Sequence, residues 1–162
     1  MSAEYWIDRL NLSEHPEGGF YRPTYESGRW TAQENRERKL YTSIYFLLRS
    51  EDISHFHRLQ SDELWYFHAG SSLKIHMITP EGKYEEITLG LHIENGEVPQ
   101  FVVPKHTIFG SSVPAQEDYS LVGCMVSPGF DFEDFELFSQ AELLEQYPQH
   151  KDIIMKMAYE RK

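Results

Sequence analysis

Cysteine is nearly absent: Cys124 is the only one in the 162 residues. One thiol cannot close an internal disulfide, and it excludes a cysteine-rich metal site. Set in the apolar run Tyr119–Val126, it reads as a buried, inert thiol and not as a nucleophile. Positive charge is also scarce, with 15 Lys and Arg against 26 Asp and Glu and a formal net charge of −11. A nucleic-acid partner requires a positive field that displaces counterions from phosphate. The densest basic run, Arg36–Lys39, is interrupted by Glu37 and flanked by Glu34, so no nucleic-acid partner is expected. One Arg inside a pocket could still hold a small anion. No apolar stretch approaches the length needed to span a bilayer, and Met1–Leu10 carries Glu4 and Asp8 where a signal core would be apolar. The expectation is a reduced, cytoplasmic protein without a membrane partner.

What is abundant is aromatic and β-branched. Hydrophobic residues make up 40% and aromatics 14%, which suits one globular domain over residues 1–162 with a barrel interior lined by large side chains. Ser2–Leu10 predicts a short amphipathic helix with Ser2 as N-cap. His15–Pro16–Glu17–Gly18–Gly19 breaks it, and Phe20–Tyr25 is a first strand. The polar, aperiodic stretch Glu26–Lys39 predicts an exposed loop. From Tyr41 to Val126 follow short runs rich in β-branched and aromatic residues, separated by turn signals such as Pro80–Glu81–Gly82 and Asn95–Gly96. Many short strands at that spacing indicate a sandwich or barrel. Ser139–Tyr147 and His150–Ala158 predict helices parted by Pro148.

The segment Ser54–Gly70 contains His55–Phe56–His57 and then Glu63, with six residues between Glu63 and Gly70. On adjacent strands, His55 and His57 share one face, and Glu63, Trp65 and Phe67 share another. This segment resembles the first signature of the cupin superfamily. Four blocks occur in order, the third of them within this segment: His15–Phe20, Thr42–Leu48, His57–Arg58 with Asp62–Trp65, and Pro128–Phe135. Together they resemble the cupin-5 family, a domain of unknown function also called DUF985, over about residues 5–138. The resemblance implies a mainly β fold, a double-stranded β-helix (jelly-roll) barrel with short N- and C-terminal helices. Residues 139–162 then form a helical extension. It also implies a homodimer, but it brings no settled reaction.

His55, His57 and Glu63 could supply the two-His-one-carboxylate face of a metal-dependent cupin enzyme. Two departures argue against it. Five residues separate His57 from Glu63, one more than metal cupins allow. In the second signature, Val103–Phe109, His106 takes the place of the turn glycine and Phe109 that of the last histidine ligand. The sequence therefore implies no metal and no other cofactor.

The expected partner is a small polar organic ligand, sugar- or nucleotide-like, inside the barrel. One reading is metal-free catalysis of the epimerase or isomerase kind, with His57 as general base and a tyrosine, Tyr21, Tyr25 or Tyr45, as proton donor. Glu17, Arg58, Glu63 and Trp65 would bind the ligand, with Arg58 or Arg22 holding an anionic group. Competing readings give Arg58 an ion pair with Asp62 and Glu17 a backbone-capping role. The alternative function is a non-catalytic binding or sensing module, with Trp65, Tyr66 and Phe67 stacking on a ring. Pro128–Phe135 alternates apolar and acidic residues, as a half-buried edge or dimer segment would, with Asp131, Glu133 and Asp134 solvated.

Overall fold

A computed structural model describes residues 1–161. The last residue of the expected 139–162 extension lies outside them. The chain opens with helix α1 (Ala3–Leu10), whose first turn is capped by Ser2 Oγ accepting the Tyr5 N–H at 3.2 Å. Left-handed Asn11 ends it. The strands that follow are β1 (Ser13–Glu14), β2 (Phe20–Glu26), β3 (Trp30–Gln33), β4 (Arg36–Lys39), β5 (Thr42–Arg49), β6 (Ser54–Arg58), β7 (Asp62–Gly70), β8 (Leu73–Ile78), β9 (Tyr84–Leu89), β10 (Gln100–Val103), β11 (Ile108–Ser112), β12 (Tyr119–Ser127) and β13 (Glu136–Leu137). Two helices, α2 (Gln140–Gln146) and α3 (Lys151–Met157), complete the described chain. No helix among the described residues is long and apolar enough to cross a membrane.

Apart from β3 and β4, which pair with each other as a separate two-stranded sheet, the strands form two antiparallel sheets, ordered β1-β2-β5-β12-β7-β10 and β13-β6-β11-β8-β9. They face each other over one core. Phe46, Trp65 and Val122 come from the first sheet and meet Ile75, Met77 and Phe109 from the second. Alternation along each strand then supplies two outer cores. On β5, Phe46 and Leu48 point in, while Leu47 points out to α1 with Ala3 and Leu12. Phe56, Ile78 and Ile108 form the outer face of the second sheet, covered by Leu143, Ile154 and Met157 of α2 and α3. This is the expected mainly β barrel with terminal helices, and the helices exist because each covers an apolar outer face.

Two expectations are corrected. Residues 26–39 are not a loop: β3 and β4 pair as a hairpin in register Trp30↔Lys39 to Gln33↔Arg36. Glu34 and Asn35 form its two-residue turn, both at positive φ (47° and 65°), a geometry whose twist suits a hairpin. Glu34 is an uncommon residue at such a position, so the usual turn signal is missing. The second correction concerns Pro128–Phe135. This segment is not a strand; it carries a single 3-10 turn, Phe132–Asp134. Nor is Asp134 solvated. It is buried, accepting from Arg38 Nε at 2.7 Å, from Arg38 Nη2 at 3.1 Å and from Arg36 Nη1 at 2.7 Å. The β3–β4 hairpin thus holds the segment against the barrel through charge-assisted bonds.

Candidate functional site

A cavity of about 660 Å³ opens at one end of the barrel, within the range of small-molecule sites. Its buried floor is built by His57 of β6, Glu63 of β7, Cys124 of β12 and Glu17 from the β1–β2 loop. Its rim includes Tyr25, 74% exposed, and Phe132, 54% exposed.

Glu17 reaches the floor because its loop is pressed onto β6. The Glu17 carbonyl accepts both the His55 backbone N–H and its Nδ1–H, each at 2.8 Å. Tyr159 stacks on the His55 ring at 3.7 Å and donates its hydroxyl to the Pro16 carbonyl at 2.7 Å. Gly18 makes the approach possible. Its φ is +109°, and a Cβ there would stand 1.9 Å from the Ile53 carbonyl oxygen. Glu17 therefore has a pocket role, and the glycines exist to insert it.

Inside, Glu17 Oε2 lies 2.8 Å from His57 Nε2. His57 Nδ1 is 2.7 Å from the His55 carbonyl, which can only accept, so Nδ1 carries a proton. The imidazole is packed between Phe109, centroid distance 4.1 Å, and Phe135 at 5.3 Å. Burial opposes charge on His57, but the Glu17 carboxylate and its hydrogen bond outweigh burial and raise the imidazole pKa. Burial likewise works against ionised Glu17, and the charge of His57 with its hydrogen bond reverses that, holding the Glu17 carboxyl below the ordinary range. Glu63 has no such partner. Burial first, and then the Glu17 charge, push its pKa up to about 8, beside the Cys124 thiol. The floor thus pairs an ionised carboxylate with a largely protonated one. His15 is held neutral by burial, and its Nδ1 accepts the Glu17 N–H at 3.1 Å.

The family model described as "Cupin superfamily (DUF985)", Cupin_5, matches residues 4–138. The chain belongs to this cupin family. A hypothetical protein from Leishmania major superposes on this cupin with a TM-score of 0.95 at 46% identity, covering 99% of this chain and 100% of that one. A Shewanella oneidensis protein gives 0.91 at 55% identity, covering 98% of each chain. An uncharacterized Saccharomyces cerevisiae protein, YML079W, is 29% identical over 148 residues, 82% of this chain and 73% of its own. Oxalate decarboxylase from Bacillus subtilis shares the fold alone, with a TM-score of 0.56 at 13% identity over 92% of this chain and 38% of that chain.

The cupin fold gathers some of the sequence candidates and disperses others. His57, Glu63, Glu17, Tyr21 and Tyr25 line the cavity. Tyr45 does not: it points to the opposite face of β5, toward the α1 core, under the Arg22 guanidinium at 5.6 Å. Arg58 also faces away. It donates from Nε to Glu136 at 2.6 Å and lies over the Phe138 ring, while Asp62 instead accepts the Lys105 N–H. Trp65 is buried in the core against Phe46 and Phe109 rather than lining the cavity, so stacking on a ligand is not its position. His55 does not line the cavity and is spent on the Glu17 loop and the Tyr159 ring. Sequence reasoning missed Cys124, Phe130, Asp131 and Phe132 as lining residues. The β12 alternation Val122, Cys124, Val126 was the available signal for the first.

The residues do not fit a catalytic metal. Among the described residues no group of three or more His, Cys, Asp or Glu side chains is arranged to hold an ion. His55 Nδ1 and both His57 nitrogens are engaged, and Phe109 closes the ring face where a further ligand would stand.

Proposed function

We propose that this cupin catalyses metal-free proton transfer, of the isomerase or epimerase kind, on a sugar- or nucleoside-sized polar molecule held in the barrel. One observation carries the reading: two carboxyl groups on one cavity floor have their pKa values driven apart, Glu17 down and Glu63 up. Glu17 is the base, kept ionised by His57, and Glu63 is the acid. The sequence pointed to His57 as the base; with Nδ1–H engaged and Nε2 on Glu17, it acts better as the cation that holds Glu17 in place. For a substrate with a carbonyl, Glu17 takes the proton from the adjacent carbon and the C–H electron pair moves onto the carbonyl oxygen. Glu63 then returns a proton to the carbon, and solvent exchange resets both groups.

The test is incubation of a panel of keto and aldo sugars with the protein in D2O, read by NMR. Solvent deuterium should enter the carbon beside the carbonyl of at least one panel member, and Glu17→Gln and Glu63→Gln should abolish it. Exchange at equal rates in both variants overturns the assignment. No exchange in any compound that binds supports the second reading, a non-catalytic binding module, which the mutual satisfaction of Glu17 and His57 at 2.8 Å also suits.

A further inference from the structure

We propose that the mouth of this cavity selects a small molecule carrying a protonated amine and no acidic group. The proposal rests on the acid–base reading above and names its substrate class. Phosphate or carboxylate recognition requires a donor cation inside the site. Among the residues lining the cavity none is Lys or Arg, whereas Glu17, Glu26, Glu63 and Asp131 all contribute carboxyl groups. Three cations of the β3–β4 hairpin are committed elsewhere. Lys39 pairs with Glu26, and Arg36 and Arg38 converge on Asp134, with Arg38 also on Glu133. His57, the one cation on the floor, is held by Glu17. An anionic group in this space would meet carboxyl oxygens and no unpaired positive charge.

The rim has the complementary chemistry. Asp131 Oδ1 accepts the Glu133 N–H at 2.9 Å, which caps the 3-10 turn and leaves Oδ2 with no protein donor among the described residues. Tyr25, Phe130 and Phe132 line the same opening, with Phe130 and Phe132 edge-to-face at 4.9 Å. Aromatic faces beside a carboxylate recognise ammonium by combining cation–π attraction with an ion pair. Exposure separates the two tasks: charge is read at the open rim, and protons move at the buried floor. The Arg38–Asp134 bond gives the rim a fixed position, because Asp134 lies in the 3-10 turn that also carries Phe132.

Isothermal titration of the full chain, slightly below neutral pH and at low salt, compares three matched probes: glucosamine, glucose and glucose 6-phosphate. Glucosamine should bind about fivefold tighter than glucose, the scale of an exposed ion pair together with a cation–π contact, and glucose 6-phosphate should bind weakest. Equal affinity for glucosamine and glucose, a phosphate that matches or exceeds glucose, or no binding by any of the three overturns the proposal. Asp131→Asn keeps a capping oxygen, so the fold is retained. The amine preference should shrink to less than about twofold with glucose affinity unchanged, and an undiminished preference removes Asp131 from the site. Deuterium exchange by the protein alongside a preference for the phosphate would sink the substrate class and leave the acid–base reading standing.

Discussion

Glu17 Oε2 and His57 Nε2 face each other at 2.8 Å inside the barrel, both almost fully buried. Forty residues of sequence separate them. Breaking one member of such a buried pair leaves the other charge without compensation, at about 3–5 kcal/mol. Glu17→Gln should therefore lower stability by roughly that amount. It should also move the His57 pKa from above its ordinary value of 6.5 to below it, because burial is then left to dominate. An NMR titration of the His57 ring proton reads this directly, and a pKa that stays high would show that another group supplies the charge.

Glu63 makes the stability depend on pH in a defined direction. Its folded pKa is about 8 against an ordinary 4.5, so the folded protein binds more protons than the unfolded chain between these values. Stability is fully present below about 4.5 and is lost as pH rises toward 8. Glu63→Gln removes the penalty and should raise stability at alkaline pH by roughly 3–5 kcal/mol relative to the parent chain, with little change in acid. Denaturant melts at both pH values check this; a parallel offset at the two would sink it.

Gly18→Ala should be among the most damaging small substitutions in the chain. The left-handed φ and the clash with the Ile53 carbonyl act together, for a loss of about 2–4 kcal/mol. Because the displaced loop carries Glu17, the His57 pKa should fall as in Glu17→Gln. Loss of stability with an unchanged His57 titration would separate the loop from the pair.

Arg38→Met should release the Phe132–Asp134 turn from the β3–β4 hairpin. It leaves the buried Asp134 carboxylate with Arg36 alone, which is itself half exposed, a loss of about 2–4 kcal/mol. Amide exchange should accelerate in residues 30–39 and 128–135 and stay slow in β12. Uniform acceleration across the barrel would argue against a local clamp.

Tyr159→Phe keeps the ring stacked on His55 and deletes the hydroxyl donated to Pro16. The expected cost is about 1 kcal/mol, with the His57 titration preserved. Tyr159→Ala removes the stack as well and should lower stability further. Equal losses in the two variants would mean that the stack contributes nothing.

Much of the architecture was legible because local pattern and tertiary role agree. Ser2 and Ser139 cap helices as their side-chain chemistry requires, and period-two alternation put His57 and Glu63 on inward faces. The β3–β4 hairpin was illegible because Glu34 and Asn35 supply left-handed turn geometry without glycine. Asp134 looked solvated because an acidic run gives no sign that Arg36 and Arg38, almost a hundred residues earlier, will meet it. Arg58 and Tyr45 were plausible pocket residues by type, and strand register turned both outward.

Periodicity, capping and turn chemistry within a few residues were enough to indicate a small mainly β barrel, while the family came from a resemblance carried by ordered motif blocks, which also drew notice to Glu17 and the HxH pair. Tertiary packing alone set Glu17 against His57, Glu63 beside the Cys124 thiol instead of a cation, and Arg36 and Arg38 on Asp134. Protonation depends on what lies within a few ångströms in space, and the chain brings those groups together from segments far apart in sequence.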